Sequence, residues 1–259
     1  VKDHLVLVPG IDGTGKLFYR QIPSLERDFI VTATRLRDEA ATMDDLVADL
    51  HAEVERVAAG GGRVSLLGES FGGALTLSYA VAHPERVERL VILNSFAHFG
   101  SQARLWLGYH LLRATPWGMM RIVRQLNARR MHSPQTERDE IRRFHELMRT
   151  STREGYLSRM RMLRDYDIRD LLPSIAAPVL YLAADGDTLI PSVEQARLMS
   201  ELTPSATLRI LEGHGHSCLI APDMDLAAIV AEWLARRPVR RSLGEGGSPG
   251  QGGMDDANR

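Results

Sequence analysis

Chemistry in this chain starts from a serine held between glycines, Gly68-Glu69-Ser70-Phe71-Gly72. The run fits G-x-S-x-G, the turn that presents a nucleophilic serine between a strand and a helix. Its glycines remove side chains where strand and helix crowd together. The flanks fit that context, with apolar Val64-Ser65-Leu66-Leu67 before the turn and Gly73-Ala74-Leu75-Thr76-Leu77 after it. A serine hydroxyl attacks only when a base takes its proton, and the base needs an acid to orient it. Two acids, Asp185 and Asp187, follow one strand-like run, and two histidines, His214 and His216, follow the next. Asp187 is favoured because it stands four residues before Pro191, where the chain turns away from the strand. His216 is favoured because it follows Gly215 directly and opens the run Ser217-Cys218-Leu219. Acyl transfer also needs N–H donors for the oxyanion. The Phe71 N–H supplies one and the loop Pro9-Gly10-Ile11-Asp12-Gly13 the other, assigned to Ile11 with Asp12 as the fallback.

The same loop carries a competing pattern. Gly10-Ile11-Asp12-Gly13-Thr14-Gly15-Lys16 fits G-x-x-x-x-G-K, the phosphate-cradling loop of nucleotide-binding proteins. That loop needs Ser or Thr after the lysine to hold Mg²⁺, and here Leu17 follows. It also needs a helix whose N-terminus meets the phosphates, and Pro23 interrupts one within two turns. A third class, a binding protein that keeps the serine, acid and histidine without turnover, stays open because fold does not fix function.

These residues must be positioned by strands and helices that the hydrophobic pattern locates. Short continuous apolar runs at Leu5–Val8, Val64–Leu67, Leu90–Leu93, Val179–Ala183 and Thr207–Leu211 predict strands buried on both faces. Helical spacing predicts helices over 43–58, 74–82 and 226–235. Strands alternating with helices predict an α/β fold with a mostly parallel sheet covered on both sides. Between the third and fourth strands the period turns helical, as at Ile141, Phe144 and Met148 and again at Leu157, Met160 and Leu163. Residues 96–177 are therefore expected to form a helical cap, over the sheet edge where open α/β sheets bind ligands. The core is expected from 1–95 and 178–237. A Gly-rich tail, 238–259, is expected to be disordered, since six of the ten residues 244–253 are glycine.

Composition narrows the classes. The chain has 259 residues, 44% hydrophobic and 25% charged, enough to bury a core without staples. One cysteine, Cys218, excludes an internal disulfide or a Cys-rich metal cluster, and it reads as a small buried hydrophobe. A net charge of −1 gives no general attraction to nucleic acid. No run of eighteen apolar residues is present, so no stable membrane insertion is expected. No signal peptide is visible, so a cytoplasmic location is expected. The chain opens on Val1, so either the start is non-standard or a leading piece is missing.

Charge is uneven. Residues 101–164 hold 14 Arg against 5 acids, a net of +9, leaving −10 for the rest. These arginines are read as coating solvent-facing helix sides, or as attracting an anionic partner such as an acyl-CoA, an acyl-carrier protein or an anionic lipid surface. The region also holds Trp106, Trp117, Met119 and Met120, which suit an adaptable apolar pocket. With Asp12 and Glu69 they are the candidate substrate-binding residues.

The serine motif, the acid and histidine in that order, and the strings Ala82-His83-Pro84-Glu85-Arg86-Val87 and Leu90-Val91-Ile92-Leu93-Asn94 together resemble the α/β-hydrolase superfamily. The resemblance runs from His4 to about Arg237. Many members have His-Gly after the first strand, where this chain has Pro9-Gly10. The runs Leu7–Gly15, Asp187–Ser192 and Gly215–Leu219 are similar to the branch of phytyl ester synthases and diacylglycerol acyltransferase-like esterases. The resemblance implies a mostly parallel sheet with a helical cap and no cofactor. It implies a serine esterase acting on a small-molecule ester, expected to be an apolar acyl ester. An acyl-thioesterase or acyltransferase would use the same machinery.

Overall fold

A computed structural model describes residues 2–58, 62–100, 102–120, 122 and 131–236; the side chains of residues 102 and 104 are not described. The expected tail, 238–259, lies outside the described residues. Six strands form one parallel sheet: β1 (Asp3–Val8), β2 (Phe29–Ala33), β3 (Val64–Glu69), β4 (Val87–Leu93), β5 (Val179–Ala184) and β6 (Ala206–Leu211), in the order β2-β1-β3-β4-β5-β6. The helices are α1 (Ile22–Leu25), α2 (Met43–Val57), α3 (Phe71–Ala82), α4 (Gln102–Ala114), α5 (Arg138–Met148), α6 (Arg153–Met162), α7 (Ser192–Leu202) and α8 (Leu226–Ala235).

The continuous apolar strands follow from having cover on both faces. Val6, Val8, Leu66, Leu90 and Ile92 pack with Leu46, Leu50 and Val54 of α2 and Leu75 and Tyr79 of α3. Their alternating neighbours Leu5, Leu7, Leu67, Val91 and Leu93 pack with Leu226, Val230 and Trp233 of α8. Successive side chains point to opposite faces, so a strand buried twice over needs an apolar residue at every position. The sequence pattern missed β2. This strand pairs only with β1, and just Phe29 of its five residues is fully buried, so it lacks the apolar run of its neighbours. Helix α3 starts at Phe71, three residues before the periodicity predicts, because Gly72 and Gly73 hide the helical pattern there.

Helix α2 starts at a capping box, with Thr42 Oγ1 accepting from Asp45 N–H and the Asp45 carboxylate accepting from Thr42 N–H. Between β4 and β5 the described residues form α4, α5 and α6 with short 3-10 turns. Phe144 and Met148 of α5 make a small core with Ile220, against Leu17, Tyr19 and Tyr156. After β1 the chain enters a 3-10 turn, Lys16–Arg20, and then the four-residue α1. This corrects the phosphate-loop alternative. No long helix follows Lys16 to face a phosphate, and the Asp12 carboxylate already takes the Thr14 N–H at 2.9 Å and its hydroxyl.

Candidate active site

Strand β3 delivers Ser70 to a sharp turn with φ 55° and ψ −120°, a conformation strained for a residue with a Cβ. Bonds on both sides hold it there. The Ser70 N–H donates to the Leu93 carbonyl at 2.9 Å, and the Ser95 hydroxyl donates to the Ser70 carbonyl at 2.7 Å. Gly72 is required because a Cβ there would run into the carbonyl oxygens of Val8 and Pro9. The next residue, Phe71, is the first of α3, where a helix leaves its N–H without an intrahelical partner.

The loops after β5 and β6 bring the acid and the histidine to this turn. His216 Nε2 lies 3.1 Å from Ser70 Oγ, and His216 Nδ1 lies 2.7 Å from Asp187 Oδ2. All three side chains are nearly withdrawn from solvent. Asp187 also accepts N–H bonds from Leu189 at 2.9 Å and Ile190 at 3.2 Å, and the Ser192 hydroxyl donates to it. Burial alone would raise its carboxyl, but the His216 charge and these donors hold it below the usual carboxylate range. Burial alone would depress His216, yet Asp187 beneath it and Glu69 beside it hold its ring above the ordinary imidazole value.

The structure separates the paired candidates. Asp185 accepts from the Gly213 N–H at 2.8 Å, tying the two loops together. His214 Nδ1 lies 2.9 Å from the Glu212 carbonyl, and its Nε2 is 3.5 Å from the Asp223 carboxylate. Neither is joined to Ser70. Glu69 is buried, with Oε1 3.7 Å from His216 Nε2, and burial pushes its carboxyl up to about 7. Asp12 is buried too, but its carboxylate turns inward to Thr14. The Gly13 N–H donates to Gly10 O at 3.0 Å, closing the turn that carries Ile11. The peptide plane that offers Gly10 O inward therefore aims the Ile11 N–H outward.

Of the aromatic and sulfur candidates, Trp106 lines a cavity of 540 Å³ with Leu105, Tyr109, His110, Met160 and Arg161. Ser70, Asp187 and His216 are not among its lining residues. Trp117 packs edge-on against Tyr156 at 5.6 Å, Met119 is exposed and Met120 half-buried. Among the described residues, no group of three or more His, Cys, Asp or Glu could hold a metal ion. Cys218 is buried, and burial pushes its thiol well up, so it is no thiolate nucleophile.

Three supports escaped the sequence reading. Asn94, at φ 47°, donates from Nδ2 to the His216 carbonyl at 2.8 Å and accepts from the Ala184 N–H at 2.8 Å. It ties the end of β4 to both loops. The segment before α5 holds the histidine loop on either side of His216: Ser217 N–H donates to Met131 O at 2.8 Å and Gly215 N–H to Ser133 Oγ at 3.2 Å. Arg159 of α6, read as one of many surface arginines, is fully buried. Its Nε donates to Ile11 O at 2.8 Å, and its Nη2 reaches Asp38 Oδ1 at 3.1 Å and Asp12 O at 3.4 Å. Gly13, at φ 70°, leaves room for it, since a Cβ there would lie 2.7 Å from the guanidinium carbon. A buried, half-satisfied arginine leaves no trace in periodicity, but its spacing from Gly155 at i, i+4 marks where α6 makes room for it.

The parallel sheet, the strained serine turn and the two loops define an α/β-hydrolase fold. A family model described as Hydrolase_4: Serine aminopeptidase, S33, matches residues 33–223, and the chain belongs to that family. It is therefore an enzyme of the α/β-hydrolase type. A relative in Yersinia enterocolitica, RutD, bears the name of a carbamate hydrolase; it is 26% identical over 256 residues, covering 89% of this chain and 86% of its own. Among solved structures, a hydrolase from Pseudomonas aeruginosa PA01 superposes with a TM-score of 0.79 at 24% identity, covering 90% of each chain. The enol-lactonase of Burkholderia xenovorans LB400 has a TM-score of 0.79 at 20% identity, covering 91% of this chain and 92% of its own.

Arg159→Ala takes from the Ile11 carbonyl its guanidinium donor and from the half-buried Asp38 one of two arginine partners, leaving it Arg35 at 3.4 Å. Breaking a buried pair from one side costs about 3–5 kcal/mol, with the lower end expected here because Asp38 keeps some solvent. Denaturant unfolding should show the midpoint falling accordingly, whereas an unchanged midpoint would mean that the contact contributes nothing to stability.

Proposed function

We propose that this protein is a serine hydrolase of carboxylic esters in which Ser70, His216 and Asp187 form the catalytic triad. The observation that carries the reading is the unbroken chain from Ser70 Oγ through both His216 nitrogens to Asp187. Ser70 Oγ attacks the acyl carbonyl while His216 Nε2 takes its proton. Asp187 accepts the Nδ1–H, which fixes the tautomer and stabilises the imidazolium. The Phe71 and Ile11 N–H groups hold the oxyanion. His216 then passes the proton to the leaving alcohol, giving an acyl-enzyme on Ser70. A water molecule, deprotonated by His216, attacks that ester and releases the acid.

Residues 96–177 act in this reading as a helical cap, and the acyl group is apolar. Leu105, Trp106, Tyr109 and Met160 give this segment an apolar cavity, and although the triad residues do not line it, that apolar lining supports the choice. Glu69 beside the nucleophile disfavours an acyl group carrying its own carboxylate near the reacting carbon. The relatives named for carbamate hydrolysis favour a second reading, in which the carbonyl attacked belongs to a carbamate. The same serine, base and oxyanion donors would serve it.

Hydrolysis of p-nitrophenyl esters from acetate to palmitate, with a p-nitrophenyl carbamate alongside, separates these readings. Medium or long acyl esters are expected to give the highest kcat/KM, and Ser70→Ala should lower it by about 10⁴-fold or more. Turnover of the carbamate alone would move the assignment to the second reading, and full activity in Ser70→Ala would overturn both.

Only the neutral imidazole can act as base, so kcat/KM should rise with pH as His216 loses its proton. The raised His216 value places the midpoint of that limb above the ordinary 6.5. Glu69, its carboxyl pushed up to about 7, is an anion over the upper part of that limb and there favours the imidazolium, so Glu69→Gln should move the midpoint to lower pH. A midpoint that stays put would remove Glu69 from the electrostatics of the site.

A further inference from the structure

We propose that the outer face of α4 docks the protein on an anionic lipid surface. Helix α4 seats Leu105 and Leu112 in the protein. Its opposite side is apolar as well: Trp106 is 64% exposed, Leu107 52% and Leu111 58%, and the patch continues with Met119 at 50% and Ile122 at 51%. Among the described residues, five of the eight exposed large hydrophobic side chains fall within residues 106–122. A surface helix ordinarily turns a polar face to water, and a clustered apolar face marks something that covers it.

Charge identifies what covers it. No Asp or Glu occurs from residue 89 to residue 136, while six Arg fall within 101–136. Arg113 is exposed in the last turn of α4. Arg161 and Arg164, the latter paired with Asp165, line the same cavity as Trp106 and Tyr109. Exposed apolar side chains that share a helix with Arg113 and a cavity with Arg161 and Arg164 suit the boundary between anionic headgroups and acyl chains. A second copy of the chain fits less well: residues 89–136 offer no acid to pair with arginine across a two-fold contact, and Asp165 is already paired with Arg164. The attachment is peripheral: among the described residues no helix is long and apolar enough to cross a membrane. The purpose of such docking rests on the apolar-ester reading, because an apolar ester dissolves in lipid and the cavity opens beside the patch. The docking itself is read without turnover.

The test is co-sedimentation of the full chain with vesicles of phosphatidylcholine alone or of phosphatidylcholine and phosphatidylglycerol in equal parts. Binding is expected to the anionic vesicles, weakening as salt is raised, with little binding to phosphatidylcholine alone. The double variant Leu107→Asp/Leu111→Asp should lose about 10-fold or more of that affinity while keeping its circular dichroism and its hydrolysis of soluble short-chain esters. Ser70→Ala should bind as the wild type does, so a failed esterase assignment leaves this result readable. The proposal is overturned by no binding to anionic vesicles, by equal binding to both kinds, or by undiminished binding of the double variant. A concentration-dependent dimer that the double variant abolishes would also overturn it, because a second copy would then cover the face.

Discussion

His216 is a buried imidazole with a carboxylate on either side, Asp187 at 2.7 Å from Nδ1 and Glu69 at 3.7 Å from Nε2. Burial works against a charged ring, and the two acids work for it; the acids prevail. A base that must accept a proton in a dry site depends on this balance. The rest of the architecture keeps it. Asp187 stays ionised because the His216 charge and hydrogen bond, then the Ser192 hydroxyl and the backbone N–H groups of its own loop, outweigh its burial. Glu69 stays close because it is the last residue of β3, one step before the strained Ser70. Asn94 fixes the His216 backbone from the neighbouring strand end.

The segment between β4 and β5 belongs to this balance and does more than cover it. Met131 and Ser133 hold the histidine loop on both sides of His216, and Arg159 holds the turn that carries Ile11. Two parts of the site that the sheet alone would leave on separate loops are thus joined to one helical segment. Helix α4 carries neither anchor; it packs Leu105 and Leu112 inward and turns Trp106, Leu107 and Leu111 outward.

Much of this was legible in the residues. The serine turn announced itself because crowding between strand and helix demands glycine at fixed places, and five strands did so because double burial demands unbroken apolar runs. Of the paired candidates, His216 lies beside Ser70 and Asp187 beside His216, whereas Asp185 and His214 bond elsewhere. Strand β2 was missed because an edge strand needs little apolar content. Asn94, Arg159 and the Met131–Ser133 clasp were missed for another reason. Each acts through a bond between a side chain or backbone group and a residue about 80 to 150 positions away. Such bonds leave no periodicity, and an arginine that is fully buried looks in sequence like the exposed ones around it.

The central claim is that Ser70 is an activated nucleophile, and covalent capture tests it most directly. A fluorophosphonate reacts only with a serine whose base and oxyanion donors are in place. Intact-mass measurement after incubation should show one adduct per chain, mapped by peptide sequencing to Ser70 and absent from Ser70→Ala and His216→Ala. A native protein that takes up no adduct, or takes it up on another residue, would contradict the account.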